Sequence, residues 1–501
     1  MTTSVSSTAV VPAVREEALS QVPAAEIPPT VVRRRHTLAS RLAFLTICVA
    51  IALTTLAYGT VHNWALAIFT FSALLLVCFW ALDAFIMRSA LLPVNPLQWP
   101  VLGMIVLGLF QLLPLRTYDV TGVTVPGVRS LSLDPYATRM VIVMVAGLLI
   151  YFMTTTMFVD TPRRLKTLVR TITIFGFVLA IFGLTQSFTS DGSRVYWFRQ
   201  LSQSTAFGPF INRHHFAGYM ELAVAMPLAL LLSGALETYK RPLYAFAAVV
   251  MAMALMATNS RGGIISLGAE IFVLVVAASF EWGGRKRRSE RRERRVRAAL
   301  VRLGLAGAVV IVLIGGALLI SGPEVFTRFL GSPIAEDPTT GRAHFWGVTL
   351  DVIKAYPVVG SGLGSFGAIY PRYDTRNGIY RLEQAHNYYL QTLSDAGLIG
   401  AVLGVAFIVI LFRRGIARRE THDPFRRAVT TGAMAGCFAV LVHSFFDFTL
   451  HTTANALLFL ILAAIATQDT RINTTYEARQ RDRQRSRSAR TDASQTVATT
   501  S

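Results

Sequence analysis

Long runs of apolar residues constrain this chain more than any other feature of its sequence. About twelve segments are long and apolar enough to cross a bilayer as helices. They lie at approximately 40–58, 63–87, 97–114, 139–158, 167–188, 215–234, 241–258, 262–280, 299–320, 387–412, 427–446 and 452–468. The pattern predicts an all-α polytopic membrane protein with about 12 transmembrane helices.

Composition supports this class. The chain has 501 residues, of which 53% are hydrophobic and only 15% are charged. A soluble globular protein of this length does not need so much apolar sequence. The three cysteines, Cys48, Cys78 and Cys437, fall inside apolar runs and lack metal-ligand spacing, so we expect them to be small buried side chains.

Five segments organise the chain. The two ends have low sequence complexity and cannot form a buried core. Because a polar tail precedes the first apolar run, we expect this run to be a membrane helix and not a cleaved signal peptide. We predict a disordered N-terminal tail (1–38), transmembrane helices 1 to 9 (39–320), a long outer loop with an amphipathic helix (321–386), transmembrane helices 10 to 12 (387–468) and a disordered basic tail (469–501).

The distribution of Lys and Arg predicts the orientation. The even-numbered connections are basic, at 162–166, 240–241, 285–297 and 413–427, whereas most odd-numbered ones are not. The positive-inside rule makes the basic side and both termini cytoplasmic. We interpret the cluster 285–297 as a solvated loop near anionic lipid headgroups, and expect no binding of nucleic acid.

Unusual polar residues gather on the opposite, outer side. Seven of the nine histidines fall there if His62 and His344 are counted with the five named below, and ionisable groups at the ends of membrane helices are costly and commonly functional. The residues are Asn212, Arg213, His214, His215, Arg261, Arg342, His386, Asn387, His443, Asp447 and His451. Asp447 follows His443 by four residues, which makes a His–Asp pair plausible. Glu221 lies inside a predicted helix and needs a partner, either Arg213 or an outer histidine.

The long outer loop should contain a short amphipathic helix. Aromatic and apolar residues recur at spacings of three and four from Phe345 to Tyr356, and Pro357 ends the pattern. We expect this helix to lie on the membrane surface. The turn GSGLGSFG at 360–367 lacks the strand–turn–helix context of a dinucleotide loop. It is either a turn that caps the helix or a set of N–H groups around a phosphate.

Arginine and histidine at the outer helix ends suggest a reaction. Guanidinium groups grip phosphate oxygens and neutralise a departing diphosphate, while an imidazole can accept a proton from a hydroxyl near neutral pH. A lipid diphosphate that carries a sugar would place its tail between helices and its headgroup at the outer surface. Because that side has no D-x-D motif or acidic pair, we predict no metal and no cofactor.

Several segments resemble the O-antigen ligase and O-antigen polymerase family, in the same order and around one long outer loop. They are NRHHFAGYMELA, NSRGG, GRAHFWGVTLDVIKAYPVVGSGLGSF, QAHNYYLQTLSDAGLIG and HSFFDFTLHTTANALLFLILAAIA, and the likeness covers about residues 95–468. The resemblance implies a GT-C-like glycosyltransferase of the bacterial inner membrane with a periplasmic active site. Its donor would be an undecaprenyl-diphosphate-linked glycan and its acceptor a hydroxyl, with membrane lipids around both.

The same resemblance implies roles for individual residues. His386 would be the base, or would orient the acceptor, and Arg261 and Arg342 would bind the diphosphate. We expect the remaining substrate-binding residues to be Arg213, His214, His215, Asn387, His443 and Asp447. His214 departs from the family pattern NRNHFAGY, in which Asn stands at that position, whereas His215 matches it.

Three acceptors remain open. Lipid A–core would make the protein a ligase, which we favour, another lipid-linked repeat would make it a polymerase, and a protein Ser or Thr would make it an O-linked oligosaccharyltransferase. Direct displacement by the acceptor hydroxyl would invert the anomeric centre. A transporter is disfavoured because transporters place ionisable residues near mid-bilayer and often contain repeats, and this chain shows neither pattern.

Overall fold

The computed structural model describes residues 36–90, 92, 94–120, 123–201, 204–281, 342–375, 382–421 and 423–468. Four predicted features lie outside the described residues: most of the N-terminal tail, the basic cluster 285–297, the ninth helix at 299–320 and the basic tail from 469. The same holds for the first part of the long outer loop, 321–341.

Helices account for most of the described structure. They are α1 (Leu38–Leu56), α2 (Asn63–Met87), α3 (Gln98–Gln111), α4 (Pro135–Phe158), α5 (Pro162–Thr189), α6 (Arg213–Leu232), α7 (Arg241–Ala257), α8 (Arg261–Glu281), α9 (Arg342–Ala355), α10 (Phe366–Ile369), α11 (Tyr388–Arg418), α12 (Pro424–His443) and α13 (Thr453–Thr467). Short 3-10 turns lie at Tyr58–Thr60, Thr238–Lys240, Tyr370–Arg372 and Thr449–His451.

In the part of the chain that the structure describes, strands are confined to two small hairpins. β1 (Arg116–Val120) pairs antiparallel with β2 (Val123–Arg129), and β3 (Arg194–Val195) pairs antiparallel with β4 (Arg199–Gln200). Both hairpins lie in connections between helices, so they do not alter the helical architecture.

Nine of the described helices are long and apolar enough to cross a membrane, if α7 is counted with the turn before it. Two further apolar helices, α3 and α13, are shorter, with 14 and 15 residues. The predicted all-α polytopic class is confirmed, and every predicted span within the described part of the chain corresponds to a helix.

The centre of the bundle is built from α6, α12 and α13. All three are buried along most of their length, and α12 packs against α6, α8 and α13. Glycines of α12 make the closest contacts: a Cβ added at Gly432 would lie 2.8 Å from the Ala225 carbonyl oxygen, and one at Gly436 would lie 2.9 Å from Ala225 Cβ. Small residues at such crossings let membrane helices approach closely.

Helix α11 is broken at Gly397, where φ is +62°. Beyond the break, the N–H groups of Leu398 and Ile399 donate to the carbonyls of Pro357 and Val358, at 2.8 and 3.2 Å. The segment 357–365 therefore supplies hydrogen bonds that a continuous helix would have made internally, which an apolar environment requires.

The glycine-rich turn is thus a structural element of the bundle. The N–H groups of Ser361 and Gly362 donate to carbonyls of α11, that of Gly364 donates to the Asp395 carboxylate, and that of Leu363 donates to Gln111. Since these donors already have protein partners, the phosphate-cupping interpretation of this turn is not supported.

Helix α9 begins and ends close to the prediction, but its buried face differs. Val348, Thr349 and Val352 are buried, and Val348 clusters with Phe366 and Tyr370. Leu350, which belongs to the predicted apolar stripe, is 47% exposed. The helix is rotated because it packs against α11 and the chain around α10.

The break in α11 can be tested by adding one methyl group. In Gly397→Ala, the new Cβ would overlap the Val358 carbonyl and the residue would keep a left-handed conformation. Strain of this kind costs about 1–3 kcal/mol, so we expect a lower thermal unfolding temperature in detergent. Gly404→Ala is the matched control, since a Cβ there has no neighbour within 4 Å. Equal unfolding temperatures for both variants would refute the proposed close docking.

Candidate active site

The ends of several helices meet at the end of the bundle that the charge pattern predicts to be periplasmic. The chain after α12 contacts the start of α11, because Tyr388 N–H donates to Ser444 O at 2.8 Å and Asn387 Nδ2 donates to Phe445 O at 3.2 Å. The start of α13 contacts the start of α6, since Asn455 Nδ2 donates to His215 O at 2.9 Å. Residues far apart in sequence therefore share one site.

Polar side chains cap the helices that begin here. Asn212 Oδ1 accepts from His214 N–H at 2.8 Å, and Asn387 Oδ1 accepts from the N–H groups of Tyr389 and Leu390. Such caps satisfy backbone donors that have no partner inside the helix. Both polar atoms of the Asn387 side chain are thus used by the backbone, which gives this predicted substrate-binding residue a structural role.

Two glycines let α8 approach the other helices. A Cβ added at Gly262 would lie 2.6 Å from His443 Cδ2, and one at Gly263 would lie 2.9 Å from Ala217 Cβ and 3.4 Å from Glu221 Oε1. The motif NSRGG therefore places the first turn of α8, with Arg261 as its first residue, directly against the ends of α6 and α12.

Asp447 lies between two imidazoles. Its Oδ1 is 3.5 Å from His386 Nδ1 and its Oδ2 is 3.8 Å from His214 Nδ1, while its side chain is almost fully buried. Burial alone would raise the pKa of Asp447, but the nearby His386 imidazole and the charges of His214 and His215 outweigh it, so that the pKa is lowered. The carboxylate is therefore ionised at neutral pH.

His443 pairs with Glu221 and not with Asp447. His443 Nδ1 and Glu221 Oε1 are 2.6 Å apart, and both side chains are fully buried. Of the two partners that the sequence left open for Glu221, Arg213 or an outer histidine, the histidine is the one observed. The predicted His443–Asp447 side-chain pair is wrong: α12 ends at His443, and Asp447, in the following turn, donates its backbone N–H to the His443 carbonyl at 3.1 Å.

Phe448 is surrounded by three of the histidines. Its ring centroid lies 5.0 Å from that of His215, 5.1 Å from that of His386 and 6.0 Å from that of His451. Burial, together with the charge of His215, lowers the pKa of His451 to about 4, so this imidazole is neutral at neutral pH. Sequence reasoning missed Phe448, although it directly follows Asp447.

Two guanidinium groups border the cluster. Arg261 is exposed, and Arg342 begins α9, close enough to His214 and His443 for its charge to act on both. Within the part of the chain that the structure describes, neither Arg261 nor Arg342 forms an ion pair with a carboxylate. Arg213 precedes His214 and is half-buried. Arginines without a protein counter-ion are suited to an anionic ligand.

Left-handed backbone marks two positions of the site. His386 has a φ of +50° and Asn259 a φ of +55°, and each directly precedes a residue that caps a helix, Asn387 or Ser260. Such conformations are uncommon outside glycine and concentrate at functional sites.

A metal is the alternative ligand for this cluster. His214, His443 and Asp447 could each offer one ligand atom, and these atoms lie within 4.8 Å of one another. However, Ser260 Oγ lies between the two imidazoles, 2.8 Å from His214 Nδ1 and 3.4 Å from His443 Nε2. Both nitrogens therefore already have a protein partner, and the residues fit a hydrogen-bonded network better than a metal centre. The sequence had indicated the three possible ligands as substrate-binding residues, but not Ser260.

The close approach of α8 gives a prediction about the site. In Gly262→Ala, the added methyl group would displace the buried His443 ring, so we expect a loss of enzymatic activity in folded protein. Gly268→Ala, on the same helix, adds a methyl group with no neighbour within 4 Å and serves as the control. Activity assays beside thermal unfolding curves would check this, and equal activity of the two variants would contradict it.

Comparison with known proteins supports the resemblance to the O-antigen ligase family. Residues 246–405 match the sequence model of the O-antigen ligase family. The matched segment contains Arg261, Arg342 and His386, whereas His214 and Asp447 lie outside it. A comparison with curated proteins gave no match.

The match, together with the apolar helices, makes this a multi-pass membrane protein with a glycosyltransferase-like activity of the O-antigen ligase or polymerase type. The resemblance predicted from the sequence motifs is supported by this finding: residues 246–405 of the chain match the O-antigen ligase family model.

Proposed function

We propose that the protein transfers a glycan from undecaprenyl diphosphate to a hydroxyl of lipid A–core, at the periplasmic face of the bacterial inner membrane. The observation that carries this proposal is the buried, ionised Asp447 beside His386 Nδ1, at the end of the bundle where Arg261 and Arg342 have no described carboxylate partner.

His386 acts as the base in this proposal. Nδ1 lies 3.5 Å from the Asp447 carboxylate, which favours the neutral tautomer with its proton on Nδ1 and leaves Nε2 as an acceptor. The side chain is 28% exposed, so Nε2 can reach an acceptor hydroxyl. A carboxylate that orients an imidazole and stabilises its protonated form is the usual partner of a histidine base.

Arg261 and Arg342 bind the diphosphate. Arg261 is the first residue of α8, so its guanidinium and the positive end of the helix dipole act on the same anion. Charge that develops on the departing diphosphate is stabilised by these fixed groups. The reaction is a direct displacement at the anomeric carbon, which inverts its configuration.

Transfer with purified protein tests the proposal. Protein in lipid nanodiscs is incubated with a lipid-diphosphate glycan and, in separate reactions, lipid A–core, a second lipid-linked repeat or a Ser/Thr peptide. We expect glycan on lipid A–core with an inverted linkage. Product only on the lipid-linked repeat would establish a polymerase, product only on the peptide would establish a protein glycosyltransferase, and a retained anomeric configuration would overturn the direct displacement.

Removal of metal gives a separate prediction. Because Ser260 already bonds the imidazoles that could bind an ion, transfer should continue at an unchanged rate after treatment with EDTA. Transfer rates would be measured before and after chelation. A rate lost on chelation and restored by added Zn²⁺ or Mg²⁺ would show that the site requires a metal.

A further inference from the structure

Four side chains from three separate segments form one buried hydrogen-bonded chain beside the proposed base. Glu221 Oε1 bonds His443 Nδ1 at 2.6 Å, His443 Nε2 lies 3.4 Å from Ser260 Oγ, and Ser260 Oγ bonds His214 Nδ1 at 2.8 Å. Glu221, His443 and Ser260 are fully buried, whereas the His214 side chain is 22% exposed. The chain therefore runs from the interior of the bundle to its outer end.

The hydrogens of this chain follow from its donors and acceptors. Ser260 Oγ also accepts from Gly263 N–H at 3.2 Å, and a hydroxyl has one hydrogen to donate and can accept two. With Glu221 ionised, His443 Nδ1–H donates to the carboxylate, Ser260 O–H donates to His443 Nε2, and His214 Nδ1–H donates to Ser260. His214 Nε2 then carries no hydrogen.

The opposite arrangement satisfies the same atoms. With Glu221 protonated, its O–H donates to His443 Nδ1, His443 Nε2–H donates to Ser260, and Ser260 O–H donates to His214 Nδ1. His214 Nε2 then carries a hydrogen. The two arrangements differ by a single proton, which enters or leaves at His214 Nε2 while Glu221 changes charge. His214 Nε2 makes no hydrogen bond with any residue that the structure describes.

We propose that Glu221, His443 and Ser260 form a proton relay, and that through it His214 Nε2 gives a proton to the departing diphosphate. This rests on the proposed function. His214 faces the diphosphate side because its partner Ser260 directly precedes Arg261 at the start of α8. His214 would be catalytic, and the other three would be positioning residues that act through it.

The step balances. The acceptor O–H bond breaks as its proton moves to His386 Nε2, the new bond forms between the acceptor oxygen and the anomeric carbon, and the bond from that carbon to the diphosphate oxygen breaks. The diphosphate oxygen takes the proton of His214 Nε2, and one proton shifts along each link, so Glu221 becomes ionised. Return of the His386 proton to the relay through solvent restores the starting state.

The test replaces Glu221 with an amide. In Glu221→Gln, the amide oxygen can still accept a hydrogen bond from His443, but the side chain cannot take up or release a proton. We therefore expect the rate of transfer to fall about 10²-fold, with the KM for the donor nearly unchanged. In wild-type protein, the transfer rate should show a solvent isotope effect that involves more than one proton, and the rate should fall at alkaline pH. The Glu221→Gln variant should show neither feature. Glu221→Asp should restore part of the rate.

Controls separate this relay from a structural role. Asp83→Asn makes the same change from carboxyl to amide in a buried residue of α2 that bonds Thr37, and it should leave rate, isotope effect and pH profile unchanged. The other charged or titratable groups around the relay must be considered in the pH profile. They are Arg213, His215, Arg261, Glu270, Arg342, His386, Asp447 and His451.

A second readout does not depend on transfer. In infrared spectra, the band of the protonated Glu221 carboxyl should vary with pH, vanish in Glu221→Gln, and exchange in D₂O more slowly in Ser260→Ala, which cuts the chain. The relay would be overturned if Glu221→Gln and Ser260→Ala kept the wild-type transfer rate, isotope effect and hydrogen exchange while His386→Ala lost transfer. The proposed function would then stand. Absence of transfer by wild-type protein would instead overturn the function, and the exchange rates alone would then decide the relay.

Discussion

Replacement of His386 by alanine is expected to lower the rate of glycan transfer by about 10²–10⁴-fold, which is the usual contribution of a positioned proton acceptor. The variant keeps Asp447 and both arginines, so the donor should bind with a similar KM while the acceptor hydroxyl loses its base. Initial rates at saturating donor, measured over a range of acceptor concentrations, check this expectation.

His344 provides a matched control for His386. It lies on the same outer segment and is half-buried, but its Nε2 pairs with Asp374 Oδ1 at 2.7 Å, apart from the Asp447 cluster. His344→Ala should therefore retain transfer in protein that remains folded. A comparable loss in both variants would indicate a general effect on the outer segment, and unchanged turnover in His386→Ala would exclude it as the base.

Replacement of Arg261 by alanine is expected to weaken donor binding and to lower the rate by about 10²–10³-fold, as found when one preorganised group that stabilises developing charge is removed. Arg261→Lys should recover only part of this loss, since an ammonium group cannot make the bidentate contact of a guanidinium. Binding of the lipid-diphosphate donor and transfer rates would both be measured.

Arg194 is a suitable control for the arginine substitution. Its side chain bonds Gln200 within the exposed β3–β4 hairpin, and this hairpin lies in the predicted outer connection before α6. Arg194→Ala removes the same charge from the same predicted side of the membrane but should leave donor binding unchanged. Equal losses for the two variants would mean that general surface charge, and not a specific contact, attracts the donor.

The α-helical membrane class could be predicted because it depends on local composition. The predicted span at 139–158 and helix α4 both end at Phe158, and the span predicted to start at 387 begins at Tyr388 in α11. The chain cannot leave backbone donors unpaired in an apolar layer, so any sufficiently long apolar run must become helical.

Errors arose where a contact between distant segments decided the local structure. The predicted span 97–114 ends early, at Gln111, because the Gln111 side chain bonds the docked turn 357–365 and the backbone of Asp395. The same docking explains why α11 is broken at Gly397. Neither feature has a local signal, since the partners of Gln111 are about 250 or more residues away in the sequence and those of Leu398 and Ile399 about 40 residues away.

The helical membrane class could be read from the sequence, as could the likeness to the ligase family and the set of histidines and arginines predicted to lie on the outer side, because apolar length, charge distribution and short motifs are properties of single segments. The pairing of the side chains could not: His443 pairs with Glu221, Asp447 lies beside His386 and His214, and Ser260 lies between two imidazoles. Pairing depends on how α6, α8, α11 and α12 pack, and packing distances of a few ångströms are not encoded in the spacing of residues along one helix.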